Sequence, residues 1–100
     1  MTNSKSKRRQ VCLFGLSADP PTGNGGHVGL ARILSADNTT TTFDEVRILP
    51  VYQHQFNSKR NRLLPFEDRL RMCHLSFDAI PKVVISDCEK RCFEQLAKGL

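Results

Sequence analysis

Residues 11–34 read VCLFGLSADPPTGNGGHVGLARIL, and this stretch decides the fold. Val11–Phe14 is a short apolar run with the length and composition of a buried strand. Gly15–Gly26 holds four Gly and two Pro, a composition that excludes both helix and central strand. His27 then opens a helical pattern, with Leu30, Ala31 and Leu34 at i+3, i+4 and i+7. Strand, glycine-rich turn and helix start are the geometry that holds phosphates: glycines let the backbone come close, and N–H groups with the helix dipole attract the anion.

Beyond this core the chain alternates. Ser35–Thr42, with its four consecutive threonines, is a polar turn that stops the first helix. Val46–Val51 reads as a second strand, interrupted by Pro50. Gln53–Leu64 carries Lys59, Arg60 and Arg62 with no acid, as a solvated basic loop would; its place after the carboxyl end of a strand suits a ligand loop in an open α/β sheet. Pro65 fits the first position of a helix. Phe66, Leu70, Cys73 and Phe77 form one apolar stripe on it, which Met72 and Leu75 widen. Glu67 and Arg71 stand at i, i+4 as a supporting pair. Arg69 has two readings, facing the ligand loop or lying exposed. Lys82–Ile85 is a third short strand. Ser86-Asp87 supplies a cap for a helix over Cys88–Leu100, with Phe93, Leu96 and Leu100 on one side and Gly99 placed as a C-cap. The order β-α-β-α-β-α implies an α/β fold with parallel pairing and right-handed crossovers.

Composition narrows the functional classes. The net charge is +5 over 100 residues, but Lys5, Lys7, Arg8 and Arg9 supply most of it, and no acid precedes Asp19. Residues 1–10 therefore read as a disordered basic arm on a nearly neutral body, which argues against a nucleic-acid domain. Cys12, Cys73, Cys88 and Cys92 lack zinc spacing and are expected as free thiols, which suits a reducing, cytoplasmic compartment; the basic arm leaves the nucleus open. The basic start and the apolar run after it mimic an export leader, but the run is only eight residues, Val11–Ala18. No 18-residue apolar stretch exists, so no spanning helix is expected.

Gly15-Leu16-Ser17-Ala18-Asp19-Pro20-Pro21-Thr22, followed by Gly26-His27, resembles the first signature of the nucleotidylyltransferase superfamily, whose motif is (His/Thr)-x-Gly-His. In that motif the first residue lies three before the second His. Here Asn24 holds that spacing and Thr22 lies five before His27. Either the loop is longer by two residues and Thr22 keeps the role, or Asn24 replaces it; the local Pro-Pro-Thr-Gly sequence favours Thr22. Phe43-Asp44-Glu45-Val46, then Pro50-Val51-Tyr52 with His54 and Lys59, then Pro65-Phe66 with Arg69, resembles the nicotinate/nicotinamide mononucleotide adenylyltransferase branch.

The resemblance implies a Rossmann-like (HUP-type) parallel sheet. It covers residues 11 to about 92, and 11–100 would be the N-terminal half of a cytidylyltransferase-like domain, truncated to about three strands with three helices. No second, Ser/Thr-rich signature with its arginine follows strand three. The implied chemistry is adenylyl transfer from ATP, with Mg²⁺, to nicotinate or nicotinamide mononucleotide. His27 and Lys59 would be the catalytic contacts, with Gly15, Leu16, Ser17, Thr22, Asn24 and Gly26 around the phosphates. Half of a sheet leaves an open edge and apolar helix faces, so self-association is expected and activity of the half alone is not. The rival reading is a non-catalytic nucleotide-binding or interaction module built on the same loop.

Overall fold

A computed structural model of the chain describes residues 8–37, 42–53 and 63–99. The order is β1 (Val11–Leu16), α1 (His27–Ser35), β2 (Glu45–Pro50), α2 (Phe66–Phe77), β3 (Val83–Ile85) and α3 (Cys88–Gly99). The three strands form one parallel sheet in the order β1-β2-β3. The alternation expected from sequence is therefore the fold, with strand edges shifted. β1 runs on through Leu16 because Gly15 and Leu16 pair with Leu49 and Pro50. Pro50 closes β2 instead of cutting it, and Val51 takes up the ladder by donating its N–H to Leu16 O at 2.9 Å. α3 runs through Gly99, the residue expected as its cap.

Register assigns the two faces of the sheet. Cys12, Val46 and Val83 share one row and Phe14, Ile48 and Ile85 the next. Against this face pack Ala31 of α1 and Cys73 and Phe77 of α2, with Ile80 closing the end. Val46, Ile48, Ala31, Cys73 and Phe77 are fully buried; burying a side chain such as Val46, Ile48 or Phe77 contributes about 1.5–3 kcal/mol. β2 is central, and its strict alternation is lost because both ends are covered: Glu45, Val46, Ile48 and Pro50 are all buried.

The opposite face is open. Leu13, Arg47 and Val84 form one row across it, and Leu13 is 65% and Val84 45% exposed. β1 lies at the sheet edge among the described strands. Leu75, expected to widen the buried stripe of α2, is 82% exposed, because it sits on the far side of the helix from Phe66, Cys73 and Phe77. Glu67 and Arg71 do not pair with each other. Glu67 bonds Lys90 of α3 at 2.7 Å, and Arg71 lies 3.7 Å from Asp68. α3 buries none of its described residues. It is held by that Lys90 contact, by Glu89 accepting the Tyr52 N–H at 2.9 Å, and by Phe93 against Tyr52 with ring centroids 5.5 Å apart.

At the start of the chain, Gln10 and Asp44 exchange bonds: Gln10 N–H donates to the Asp44 carboxylate and Asp44 N–H to Gln10 O. Arg9 and Arg47 both bind the Glu45 carboxylate at 2.6 Å. The basic arm expected over residues 1–10 is thus tied to β2 from Arg9 onward, and residues 1–7 lie outside the described residues.

Candidate functional site

The loop between β1 and α1 closes on His27. Thr22 N–H donates to His27 Nδ1 at 2.9 Å, and His27 N–H donates to Thr22 Oγ1 at 2.9 Å. The Thr22 hydroxyl also lies 3.1 Å from Nδ1. A backbone N–H can donate only to a nitrogen that carries no proton, so Nδ1 is the acceptor and the imidazole proton sits on Nε2. Phe14 packs edge-on against the ring, centroids 6.1 Å apart. The histidine is thereby held in one tautomer and one orientation, with Nε2–H as its remaining donor.

The glycines around this pair are steric requirements. A Cβ on Gly26 would stand 2.0 Å from Thr22 Oγ1 and displace the hydroxyl that holds His27. A Cβ on Gly29 would stand 1.9 Å from Asn24 O. Gly29 was not among the residues singled out by sequence; inside a helical pattern it reads as a weak helix former, and the close approach of the loop is what requires it. Of the two candidates for the first motif position, Thr22 is the one at His27. Asn24 meets the helix through its main chain, against Gly29.

The same bonds change what the helix start has to offer. Val28 N–H donates to Thr22 O at 3.0 Å and Gly29 N–H to Gly23 O at 3.2 Å, while His27 N–H is taken by the Thr22 hydroxyl. The first-turn amides, normally the anion donors of a helix N-terminus, are spent on the loop itself. His27 Nε2–H remains the side-chain donor there.

Leu16 is buried at the end of β1, and Gly15 is exposed beside it. Ser17 and Ala18 continue past the strand, Ala18 in the left-handed region at φ 58 with its methyl group in the core. That conformation costs a non-glycine residue about 1–2 kcal/mol, which burial of the methyl offsets in part. The Asp19–Pro20 peptide is cis. Lys59 and His54, the expected contacts from the following loop, lie outside the described residues.

Of its two readings Arg69 takes the first, turned toward the two ends of the loop after β2, and it is 1% exposed. Its guanidinium donates from Nη1 to Ser17 O at 2.9 Å and Val51 O at 2.5 Å, from Nη2 to Tyr52 O at 3.0 Å, and from Nε to Leu64 O at 2.9 Å. Burial pushes its pKa down, partly countered by the nearby Asp19 charge, and an arginine so placed stays protonated. Spacing held the signal: Arg69 stands at i+3 from Phe66 and i−4 from Cys73, on the buried stripe, and only its charge disguised it.

Beside this hub is a cleft of about 460 Å³ lined by Tyr52, Leu64, Phe66, Glu67, Arg69 and Lys90. A larger hollow, about 660 Å³, runs along α3 and includes none of the loop residues. Among the described residues no cluster of three or more His, Cys, Asp or Glu is placed to hold a metal. Nor is any helix among them long and apolar enough to cross a membrane.

A parallel β-α-β-α-β-α unit with three strands and three helices is a Rossmann-like arrangement, consistent with a truncated HUP-type fold. No family model matches the chain. It is 38% identical over 82 residues to a probable nicotinate-nucleotide adenylyltransferase of Sulfurovum sp. (strain NBC37-1), a match covering 82% of this chain and 40% of that protein. Proteins of the same name match from Anaeromyxobacter dehalogenans (strain 2CP-C), 36% identical over 81% of this chain and 39% of theirs, and from Myxococcus xanthus (strain DK1622), 38% identical over 64% and 30%. Over about 80% of its length the chain is an N-terminal-type stretch of the nicotinate-nucleotide adenylyltransferase family. It spans about two fifths of the length of the curated relatives it matches.

Proposed function

We propose that the chain carries the phosphate-handling half of an adenylyl transfer site in NAD biosynthesis. In that reaction a phosphate oxygen of nicotinate or nicotinamide mononucleotide attacks the α-phosphorus of ATP. One P–O bond forms, the α–β bridge breaks, and pyrophosphate leaves. The attacking oxygen is already an anion, so neither a protein base nor a protein nucleophile is required, and catalysis is positioning and charge stabilisation. The observation that carries this reading is the reciprocal Thr22–His27 pair, which leaves His27 with one donor, Nε2–H, at the mouth of the glycine-rich loop.

Each residue then has a role. His27 donates to a reacting phosphate. Thr22 and Gly26 hold His27, and Asn24 supports the loop through its main chain. Gly15, Leu16 and Ser17 bring backbone close to the phosphates, and Lys59 adds charge from the second loop. Mg²⁺ bound with ATP would supply neutralising charge to the triphosphate. Four free thiols suit a reducing cytoplasm. With one side of the phosphate clamp, the 100-residue chain binds the triphosphate but does not turn over.

The test is to join the chain to the C-terminal remainder of the Sulfurovum relative. Pyrophosphate release from ATP and nicotinate mononucleotide is expected from the chimera, reduced at least tenfold by His27→Ala, and absent from the chain alone. Turnover by the chain alone well above a His27→Ala control contradicts the half-site reading. A folded chimera that binds ATP without turnover favours the rival, a binding module.

A further inference from the structure

We propose that the free edge of β1 is an interface between two copies of this chain: the two β1 strands pair antiparallel about a twofold axis at Leu13 and join their sheets into one. This goes beyond the function proposed above and does not rest on it.

Hydrogen bonding fixes which groups β1 turns outward. Leu16 O accepts the Val51 N–H and Gln10 O the Asp44 N–H, so the even-numbered residues of β1 turn their main-chain groups to β2. In a parallel ladder one residue aims its N–H and C=O at the same neighbouring strand, and the next residue aims both the other way. β2 obeys this rule: Val46 N–H donates to Lys82 O and Ile48 O accepts the Ser86 N–H, both on the β3 side. Val11, Leu13 and Gly15 therefore aim their N–H and C=O groups away from β2, where no strand lies among the described residues. Sheet edges are commonly guarded by a charge, a proline or a bulge. β1 has none of these at its outward positions.

Apolar side chains flank that edge on both faces of the sheet. On the open face Leu13 is 65% exposed. On the helical face Ala31 of α1 points into the core, and successive helix residues lie about 100° apart around the axis. Arg32, one residue on, turns toward Ile80 and Pro81, on the β3 side. Leu30, one residue back, turns the opposite way, past β1, and Ile33 continues its stripe at i+3. These two are 47% and 67% exposed.

A second copy suits this edge because the edge is its own complement. With the axis at Leu13, Leu13 meets the partner's Leu13 and Val11 meets the partner's Gly15. Each pairing exchanges two hydrogen bonds, and the branched valine faces a residue with no side chain. The ends match in charge as well. Arg8 and Arg9 precede β1 and Asp19 follows it, so antiparallel copies bring the basic start of each toward the partner's Asp19. The same axis sets the two α1 helices on one face, with Leu30 and Ile33 between them.

The test is sedimentation equilibrium of the full chain, with isotope-filtered NMR on a mixture of carbon-13-labelled and unlabelled copies. A dimer is expected, with a cross-peak between the Cys12 α-proton and that of the partner's Phe14, the closest pair this register creates. Leu13→Lys puts like charges on the axis, and Ile33→Glu puts them between the helices. Both side chains are exposed in the single copy, so circular dichroism should hold while the dimer dissociation constant rises about tenfold or more in each. A chain that stays monomeric overturns the inference, as does a dimer that lacks the Cys12–Phe14 contact and keeps its affinity in folded Leu13→Lys; the phosphate site at His27 stands in either case. A monomer whose Val11, Leu13 and Gly15 amides gain exchange protection only on fusion to the remainder of the Sulfurovum relative also overturns it, and gives the edge to that remainder. Should neither variant fold, the wild-type Cys12–Phe14 contact between copies decides: its presence supports the interface and its absence removes it.

Discussion

Thr22 and His27 cap each other: the threonine hydroxyl accepts the His27 N–H at 2.9 Å while the Thr22 N–H holds His27 Nδ1 at the same distance. One contact thus starts helix α1 and fixes the tautomer of His27, the residue proposed to meet phosphate. Thr22→Val removes the cap but keeps the shape. It is expected to cost about 1 kcal/mol of stability, near the usual value of a lost N-cap, and to weaken tripolyphosphate binding several-fold. Asn24→Ala is expected to change stability by less than about 0.5 kcal/mol. Urea unfolding of the two variants checks the order; equal losses would mean that the hydroxyl is not the cap.

Two glycines, Gly29 in α1 and Gly23 in the loop before it, should behave in opposite ways. Alanine is ordinarily preferred to glycine inside a helix by roughly 1 kcal/mol, so Gly29→Ala should stabilise α1 on propensity alone. With a backbone oxygen 1.9 Å from the added Cβ, it is instead expected to destabilise by about 2 kcal/mol or more. Gly23, whose Cβ would meet nothing within 4 Å, should accept alanine with little effect. Thermal melts of the pair decide; a stabilised Gly29→Ala would show that the loop does not approach the helix as described.

Glu45 gives the fold an acid-sensitive joint. The hydrogen bond from Arg47, with that from Arg9, holds its carboxyl below the usual carboxylate range against the opposing effect of burial. A depressed folded pKa contributes stability that is complete above the ordinary glutamate value of about 4.3 and is lost as pH falls through the folded pKa below it. Glu45→Gln should flatten the fall in urea midpoint between pH 6 and pH 3. An unchanged fall would move the acid sensitivity to another carboxylate.

The thiols should differ sharply in reactivity. Cys73 is fully buried and burial pushes its pKa up to about 11, whereas Cys92 is exposed. At pH 8 the native chain should label rapidly at Cys92 and on the order of a hundredfold more slowly at Cys73, from thiolate fraction alone. Denatured, unreduced chain should titrate all four cysteines as free; two or fewer would mean a disulfide.

Much of this was legible in the sequence because periodicity reports burial. The runs around Val11, Val46 and Val83 alternate with the stripe Phe66, Leu70, Cys73, Phe77 in a pattern that only a parallel sheet with crossover helices accommodates. The glycine-rich composition likewise placed a loop between β1 and α1, and the structure closes that loop on His27. What escaped depends on distances along no regular element. That the first-turn amides are consumed follows from how the loop of residues 22–26 folds back, which spacing cannot show. Arg69 was hidden because charge suggests solvent, and only three surrounding loop ends supply the carbonyls that allow it to be buried.

The most direct measurement is a titration of the nitrogen-15-labelled chain with tripolyphosphate and, separately, with adenosine, in wild type and His27→Ala. The Thr22–His27 bonds are solvent-exposed, so affinity of the proposed site for tripolyphosphate should be no better than about millimolar. Shifts are predicted within residues 15–29 for tripolyphosphate, none for adenosine, and a loss of about 1 kcal/mol in His27→Ala, one hydrogen bond's net worth. No shift in residues 15–29, or identical shifts in wild type and His27→Ala, would contradict a phosphate site built on His27.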